Sequence, residues 1–144
     1  MRSLLDANVL IALFDEEHVF NDRAHAWLET HAADGIATCP VTENALVRIL
    51  SHPNYSKTLR CTPTELIEAL TDFVKDHDHE FWADDLSLRS NEHFAPERML
   101  GSRQITDIYL LSLATKHRAR LVTFDERIPL SAVPGAQKQH LHII

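Results

Sequence analysis

Glycine is scarce, at three residues in a chain of 144. That excludes the glycine-rich loops whose backbone amides wrap a phosphate, and neither of the two familiar patterns of that kind is present. With six prolines, the chain carries no long flexible linker and no low-complexity run, and no internal repeat is found. Two cysteines, Cys39 and Cys61, stand alone. Their isolation excludes paired-cysteine zinc sites and a disulfide framework, and predicts two reduced thiols in or near the core. No apolar run approaches the ~20 residues needed to cross a bilayer. Met1 to Phe14 has the look of an export leader, but Asp6 and Asn8 interrupt it and no small-residue cleavage site follows; a cytoplasmic protein is expected. A serine-hydrolase mechanism lacks its strand–turn–helix nucleophile elbow.

Basic charge is also short: 14 Lys and Arg against 21 Asp and Glu, a net charge of −7. Taken alone, that balance disfavours nucleic acid, whose binding rests on phosphate neutralisation. It decides nothing if the acids are gathered around a cation and the bases lie around them. The ten histidines show no ligand spacing. His77, His79 and His93 read as exposed, and His140 and His142 alternate like the outer face of a strand. Phe81, Trp82 and Trp27 could stack on bases, with core packing the favoured role.

What is present is an ordinary globular composition, 44% apolar and 24% charged, long enough for one domain over residues 1–144 with a real core. Strands are predicted at Ser3–Asp6, Ile36–Cys39, Glu80–Ala83, Arg120–Thr123 and His140–Ile144. Helices are predicted from Asn8, as cap, to Phe14, after Asn21 to near Gly35, over Val41–Ser51, and from Thr62-Pro63-Thr64-Glu65, a capping box with proline at the first position, to Lys75. A last helix runs from a Thr106 cap over Asp107–His117, and 84–101 is left irregular or helical. This alternation predicts an α/β fold with a mainly parallel sheet.

Four acids stand out in that frame. Asp6 and Asp125 each end an apolar strand. Glu43 is followed by Leu46, Val47 and Leu50, and Asp107 by Leu110, Leu111 and Ala114, both at offsets of three, four and seven. Those offsets define one helix face, and apolar residues there mark the side packed on the core. A strand-end Asp is often only a turn residue or cap, and an acid in a first helical turn often only complements the helix dipole. The dipole explains the position along the helix but not the inward face, since a buried carboxylate needs a partner. In right-handed β-α-β units, strand carboxyl ends and helix amino ends share one edge of the sheet, so all four acids can converge. Convergent carboxylates resist ionisation without a cation, and hard oxygens suit Mg²⁺ or Mn²⁺ better than zinc. Phosphodiester hydrolysis is a chemistry that uses such a site.

These residues resemble the PIN-domain ribonucleases, in particular the VapC-type toxins of type II toxin–antitoxin pairs. The likeness rests on Leu5-Asp6-Ala7-Asn8-Val9-Leu10, on Glu43 opening its helix, on Asp107 opening a leucine-rich one, and on Leu121-Val122-Thr123-Phe124-Asp125-Glu126-Arg127. It implies a five-stranded parallel sheet with helices on both faces, and endonucleolytic RNA cleavage dependent on Mg²⁺ or Mn²⁺. Asp6, Glu43, Asp107 and Asp125 would be the catalytic and metal-holding quartet, Asn8 would orient Asp6 or a bound water, and Thr123 would support the site near Asp125. The resemblance also implies a homodimer, an RNA substrate with tRNA among the structured targets, and a cognate antitoxin that pushes a basic side chain into the acid pocket. Many relatives carry a basic residue directly after the last acid; here Glu126 precedes Arg127. Arg48, Arg103 and Arg127 are candidate phosphate contacts, each also readable as a solvated surface residue. Lys116, Arg118 and Arg120 gather at a helix end, where the dipole accounts for them.

Three other readings stay open: a catalytically idle PIN-like module that binds RNA or protein, a housekeeping PIN nuclease, and a phosphatase on another acid-rich α/β fold. The phosphatase would want a second Asp as general acid where this chain has Asn8.

Overall fold

The computed structural model describes all 144 residues. Five short strands, β1 (Ser3–Leu5), β2 (Ile36–Thr38), β3 (His79–Phe81), β4 (Arg120–Thr123) and β5 (Leu141–Ile143), form one sheet in the order β3-β2-β1-β4-β5. Every pairing is parallel, with Ser3 beside Ile36, Leu4 beside Leu121 and Leu121 beside Leu141. β3 begins one residue earlier than expected, at His79. Five helices connect them: α1 (Ala7–Phe14), α2 (Asn21–His31), α3 (Pro40–Leu50), α4 (Pro63–Lys75) and α5 (Ile105–Lys116).

Because side chains alternate across a strand, neighbouring residues serve different cores. Leu5, Ile36 and Val122 face a cluster completed by α1, by Ala24, Trp27 and Leu28 of α2, by Leu46 and Leu50 of α3, and by Leu66 and Leu70 of α4. Leu4, Ala37 and Leu121 face the other, built mainly on α5 with Phe94, Trp82, Ile128 and Val133. Helices do cover both faces, four on one and one on the other. The 84–101 segment is mostly irregular, pinned by buried Phe94 and by the Ser112 hydroxyl, which donates to the His93 carbonyl at 2.9 Å. No helix is long and apolar enough to cross a membrane.

Local signals act as expected at α4, where Thr62 accepts from the Glu65 N–H and the Glu65 carboxylate accepts from the Thr62 N–H. Two caps differ from expectation. Asp6, in extended conformation, is the cap residue of α1 in place of Asn8, and Gln104 rather than Thr106 precedes α5. A 3₁₀ turn over Ser102–Gln104 runs directly into that helix and shifts its start. Gly35 lies at φ +84° and ψ 149°, a conformation nearly confined to glycine, with the Arg2 guanidinium packed where a side chain would stand. Arg2 in turn donates to the Ile36 and Asp78 carbonyls and pairs with Asp78 and Glu80, closing the amino edge of the sheet.

The cysteines are both free. Cys39 is buried, and burial lifts its thiol to about 11, so it stays protonated and inert. Phe81 is 58% exposed, so it has no core role, whereas Trp27 and Trp82 are buried. His140 is buried inside a 3₁₀ turn over Lys138–His140, where its Nδ1 accepts the Gln137 N–H, and so is not on a strand's outer face.

Candidate active site

In an open parallel sheet, ligands gather outside the strand carboxyl ends where the strand order reverses. Here β1, β2 and β3 step one way from the centre and β4 and β5 the other, so the reversal lies between β1 and β4. Asp6 follows β1 at that point and is buried. Thr123, the last residue of β4 and fully buried, donates its hydroxyl to Asp6 Oδ2 at 2.7 Å. Thr123 Oγ1 in turn accepts the Asp125 N–H at 3.1 Å. Asp125 Oδ1 accepts the backbone N–H of Arg127 at 2.8 Å and is approached by its Nε at 3.4 Å. One threonine thus ties both strand-end acids together, and its direct bond is to Asp6 as well as to the Asp125 backbone.

Burial raises the pKa of Asp6, and the Thr123 hydroxyl and the N–H groups of Ala7 and Asn8 only partly oppose it. Asp107, half-buried in the first turn of α5, is pushed up to about 6, first by burial and then by the charges of Asp6 and Asp125. Three acids at the reversal point therefore repel one another. The cation paired with them, Arg127 on Asp125, is 86% exposed.

Glu43, in the first turn of α3, stands at the same sheet edge with partners of its own. Its Oε1 accepts the Thr38 hydroxyl at 2.6 Å, and Thr38 Oγ1 lies 2.7 Å from His79 Nε2. Its charge acts on His79, whereas those of Asp6 and Asp125 act on Asp107. The structure therefore brings Asp6, Asp107 and Asp125 into one electrostatic unit and sets Glu43 beside it. No trio of His, Cys, Asp or Glu closes into a ready-made metal cage.

The supporting residues sort less simply. The Asn8 side chain is exposed on α1 and bonds to no other side chain, because Asp6 itself occupies the cap position; only the Asn8 backbone N–H bears on Asp6. Arg48 is exposed on α3 and lines a groove between α3 and α4 that begins at Glu43. Arg103 is exposed in the turn before α5. Glu126 is exposed. Lys116 and Arg120 are engaged at the far edge of the sheet, with Asp85 and with Asp34 and Ser3 respectively.

Three residues near the site escape sequence reasoning. Thr38 ends β2 as Thr123 ends β4, which is the signal that could have found it. His79 reads as solvent-exposed until its strand is shifted by one residue. Asp84, from the loop after β3, accepts the Val41 N–H at 3.0 Å and so satisfies the amino end of α3.

Known proteins share this fold. The family model for the PIN domain matches residues 3–135. The chain belongs to the PIN-domain family. Ribonuclease VapC44 of Mycobacterium tuberculosis is 43% identical over 141 residues, covering 98% of each chain. Ribonuclease VapC39 of the same organism is 36% identical over 135 residues, covering 94% of this chain and 96% of its own. At that identity and coverage, this PIN domain falls among the VapC ribonucleases. The crystal structure of VapBC2 from Rickettsia felis bound to a DNA fragment from their promoter matches with a TM-score of 0.59 at 20% identity. It covers 90% of this chain and 94% of that one, and shows the shared fold.

Proposed function

We propose that this VapC-group PIN domain is an endoribonuclease that hydrolyses RNA phosphodiester bonds with a divalent cation, Mg²⁺ or Mn²⁺, held by Asp6, Asp107 and Asp125 with Glu43 beside them. The observation that carries the reading is Asp107, lifted to about 6 by burial and by two neighbouring carboxylates. Such a trio would repel a phosphate unless a cation joined it. The donor set, all hard carboxylate oxygens, fits Mg²⁺ or Mn²⁺. Its open arrangement suits Mg²⁺, which binds through one or two carboxylates and shares the rest of its shell with water and substrate phosphate. When bound, the cation would supply positive charge for the scissile phosphate and make an attacking water more acidic.

The chain's own residues have separable tasks. Thr123 fixes the rotamer of Asp6 and the turn that presents Asp125. Asp107 exchanges its proton near pH 6, so it is ionised and able to ligate at neutral pH and protonated in acid. The exposed side chains of Arg48, Arg103 and Arg127 would meet RNA phosphates by charge-assisted bonds. We further infer in-line attack by water without a covalent enzyme intermediate, a role as the toxin of a type II pair held in check by an antitoxin, a homodimer, and a cytoplasmic site of action on structured RNA such as tRNA. The phosphatase reading is weakened by Asn8, an exposed neutral amide where that chemistry wants an acid.

The test is cleavage of RNA by protein stripped with chelator and then given MgCl₂ or MnCl₂. Cutting is expected only with metal, and induced expression should arrest growth. Equal cutting in excess chelator would remove the metal. Turnover of small phosphate esters without RNA cleavage would favour the phosphatase. An active protein whose expression is harmless would make it a housekeeping nuclease.

A further inference from the structure

The two strands that flank β1 end in the same way. Thr123 closes β4 and donates to Asp6 at 2.7 Å, and Thr38 closes β2 and donates to Glu43 at 2.6 Å. Both threonines are fully buried, so each hydroxyl has a fixed partner and little freedom to exchange it for water. Thr38 differs in having a second partner, His79 Nε2 at 2.7 Å.

A hydroxyl carries one proton. Thr38 spends it on Glu43, whose carboxylate can only accept, so Thr38 must accept from His79. That requires the proton of the imidazole to sit on Nε2. The chain of donors therefore runs in one direction, from His79 Nε2–H to Thr38 Oγ1–H to Glu43 Oε1, with Oε2 left outside it. His79 is carried on β3, whose register against β2 is set by Ile36 beside His79 and Thr38 beside Phe81. The relay thus anchors a helix-borne carboxylate to two strands of the sheet. Burial lowers the pKa of the ring, which keeps it neutral at pH 7 and adds no positive charge beside Glu43.

We propose that Thr38 and His79 are positioning residues that hold Glu43 in one orientation for the divalent cation, as Thr123 does for Asp6. This rests on the metal-dependent reading above. Partners that orient a ligand from behind characteristically matter by about 10- to 100-fold in metal affinity.

The experiment is a Mn²⁺ titration followed by electron paramagnetic resonance on wild type, Thr38→Val, Thr38→Ser, His79→Leu, His79→Gln and Glu43→Gln, with nitrogen-detected NMR of the His79 ring. Thr38→Val keeps shape and loses the hydroxyl. Gln at 79 keeps an N–H near the Nε2 position. Expected are an Nε2–H tautomer in wild type, a Mn²⁺ dissociation constant raised about tenfold or more in Thr38→Val, His79→Leu and Glu43→Gln, and recovery to near wild type in Thr38→Ser and His79→Gln. Melting temperatures in chelator should not follow that order, which a merely structural role would produce. Wild-type Mn²⁺ affinity in Thr38→Val and His79→Leu alongside a loss in Glu43→Gln would overturn the relay and spare the metal site. An Nδ1–H tautomer would also overturn it. A wild-type protein that takes up no Mn²⁺ would overturn the metal reading, and the relay's purpose with it.

Discussion

Asp6→Asn and Asp107→Asn are expected to stop RNA cleavage while making the metal-free protein more stable. The two effects have one cause. Asp107 titrates near 6 in the folded chain and near 3.9 when unfolded. A carboxyl with a raised folded pKa favours the native state while protonated. Its contribution is therefore fully present below about pH 4, is lost as pH rises through about 6, and becomes a constant penalty above that. Asparagine never ionises and escapes the penalty. In chelator, wild type and Asp107→Asn should melt alike near pH 4, separate between pH 4 and 6, and stay apart at pH 7.5 with the variant higher. Asp6→Asn should behave in the same direction, since burial raises Asp6 too. Activity moves the other way. Losing a ligand removes several kcal/mol of charge stabilisation in the transition state, on the order of a thousandfold in rate. Calorimetric scans in chelator and gel assays with Mn²⁺ measure the two arms. A variant that is inactive and also less stable at pH 7.5 would mean that the acid serves the fold rather than a cation.

Thr123→Val carries the second large effect. The hydroxyl it removes lies in a fully buried position and serves two groups at once, Asp6 Oδ2 at 2.7 Å and the Asp125 N–H at 3.1 Å. Leaving such groups without a partner costs about 1–3 kcal/mol each where they remain buried. Asp6 would also lose the bond that holds its rotamer, and a drop in cleavage of about 10- to 100-fold is expected. Chemical denaturation and single-turnover cleavage read the two losses, and Thr123→Ser should restore most of both. Wild-type stability and rate in Thr123→Val would show that the tether is incidental.

Much of this architecture can be read from the residues, for identifiable reasons. The apolar runs of β1 and β4 are buried on both faces, and the stripes behind Glu43 and Asp107 have the period of a helix packed on a core, so the sheet and the acid-bearing edge follow from pattern. Five strands and the convergence of four acids come from pattern, the family resemblance added the roles of those acids, and the strand order 3-2-1-4-5 places Asp6 and Asp125 at the reversal point. Other features depend on contacts far apart in sequence and have no local signature. Asn8 looks like the cap of α1 by residue preference, yet the chain turns two residues earlier and uses Asp6. Thr106 looks like the cap of α5, yet a 3₁₀ turn runs straight into the helix. His79 reads as a surface residue because its partner Thr38 is 41 positions away. That Thr38 serves Glu43 while Thr123 serves Asp6 is a matter of which side chain bonds to which, and spacing carries no record of it.

Uptake of a divalent cation by Asp6 and its neighbouring acids underlies the proposed chemistry. Isothermal titration of Mn²⁺ into wild type and Asp6→Asn, at pH 7.5 and pH 5.0, tests it directly. Saturable binding is predicted for wild type at pH 7.5, weaker by about tenfold at pH 5.0 because a proton on Asp107 then competes, and lost in Asp6→Asn. Binding of equal strength in Asp6→Asn, or with no dependence on pH across that interval, would contradict the account.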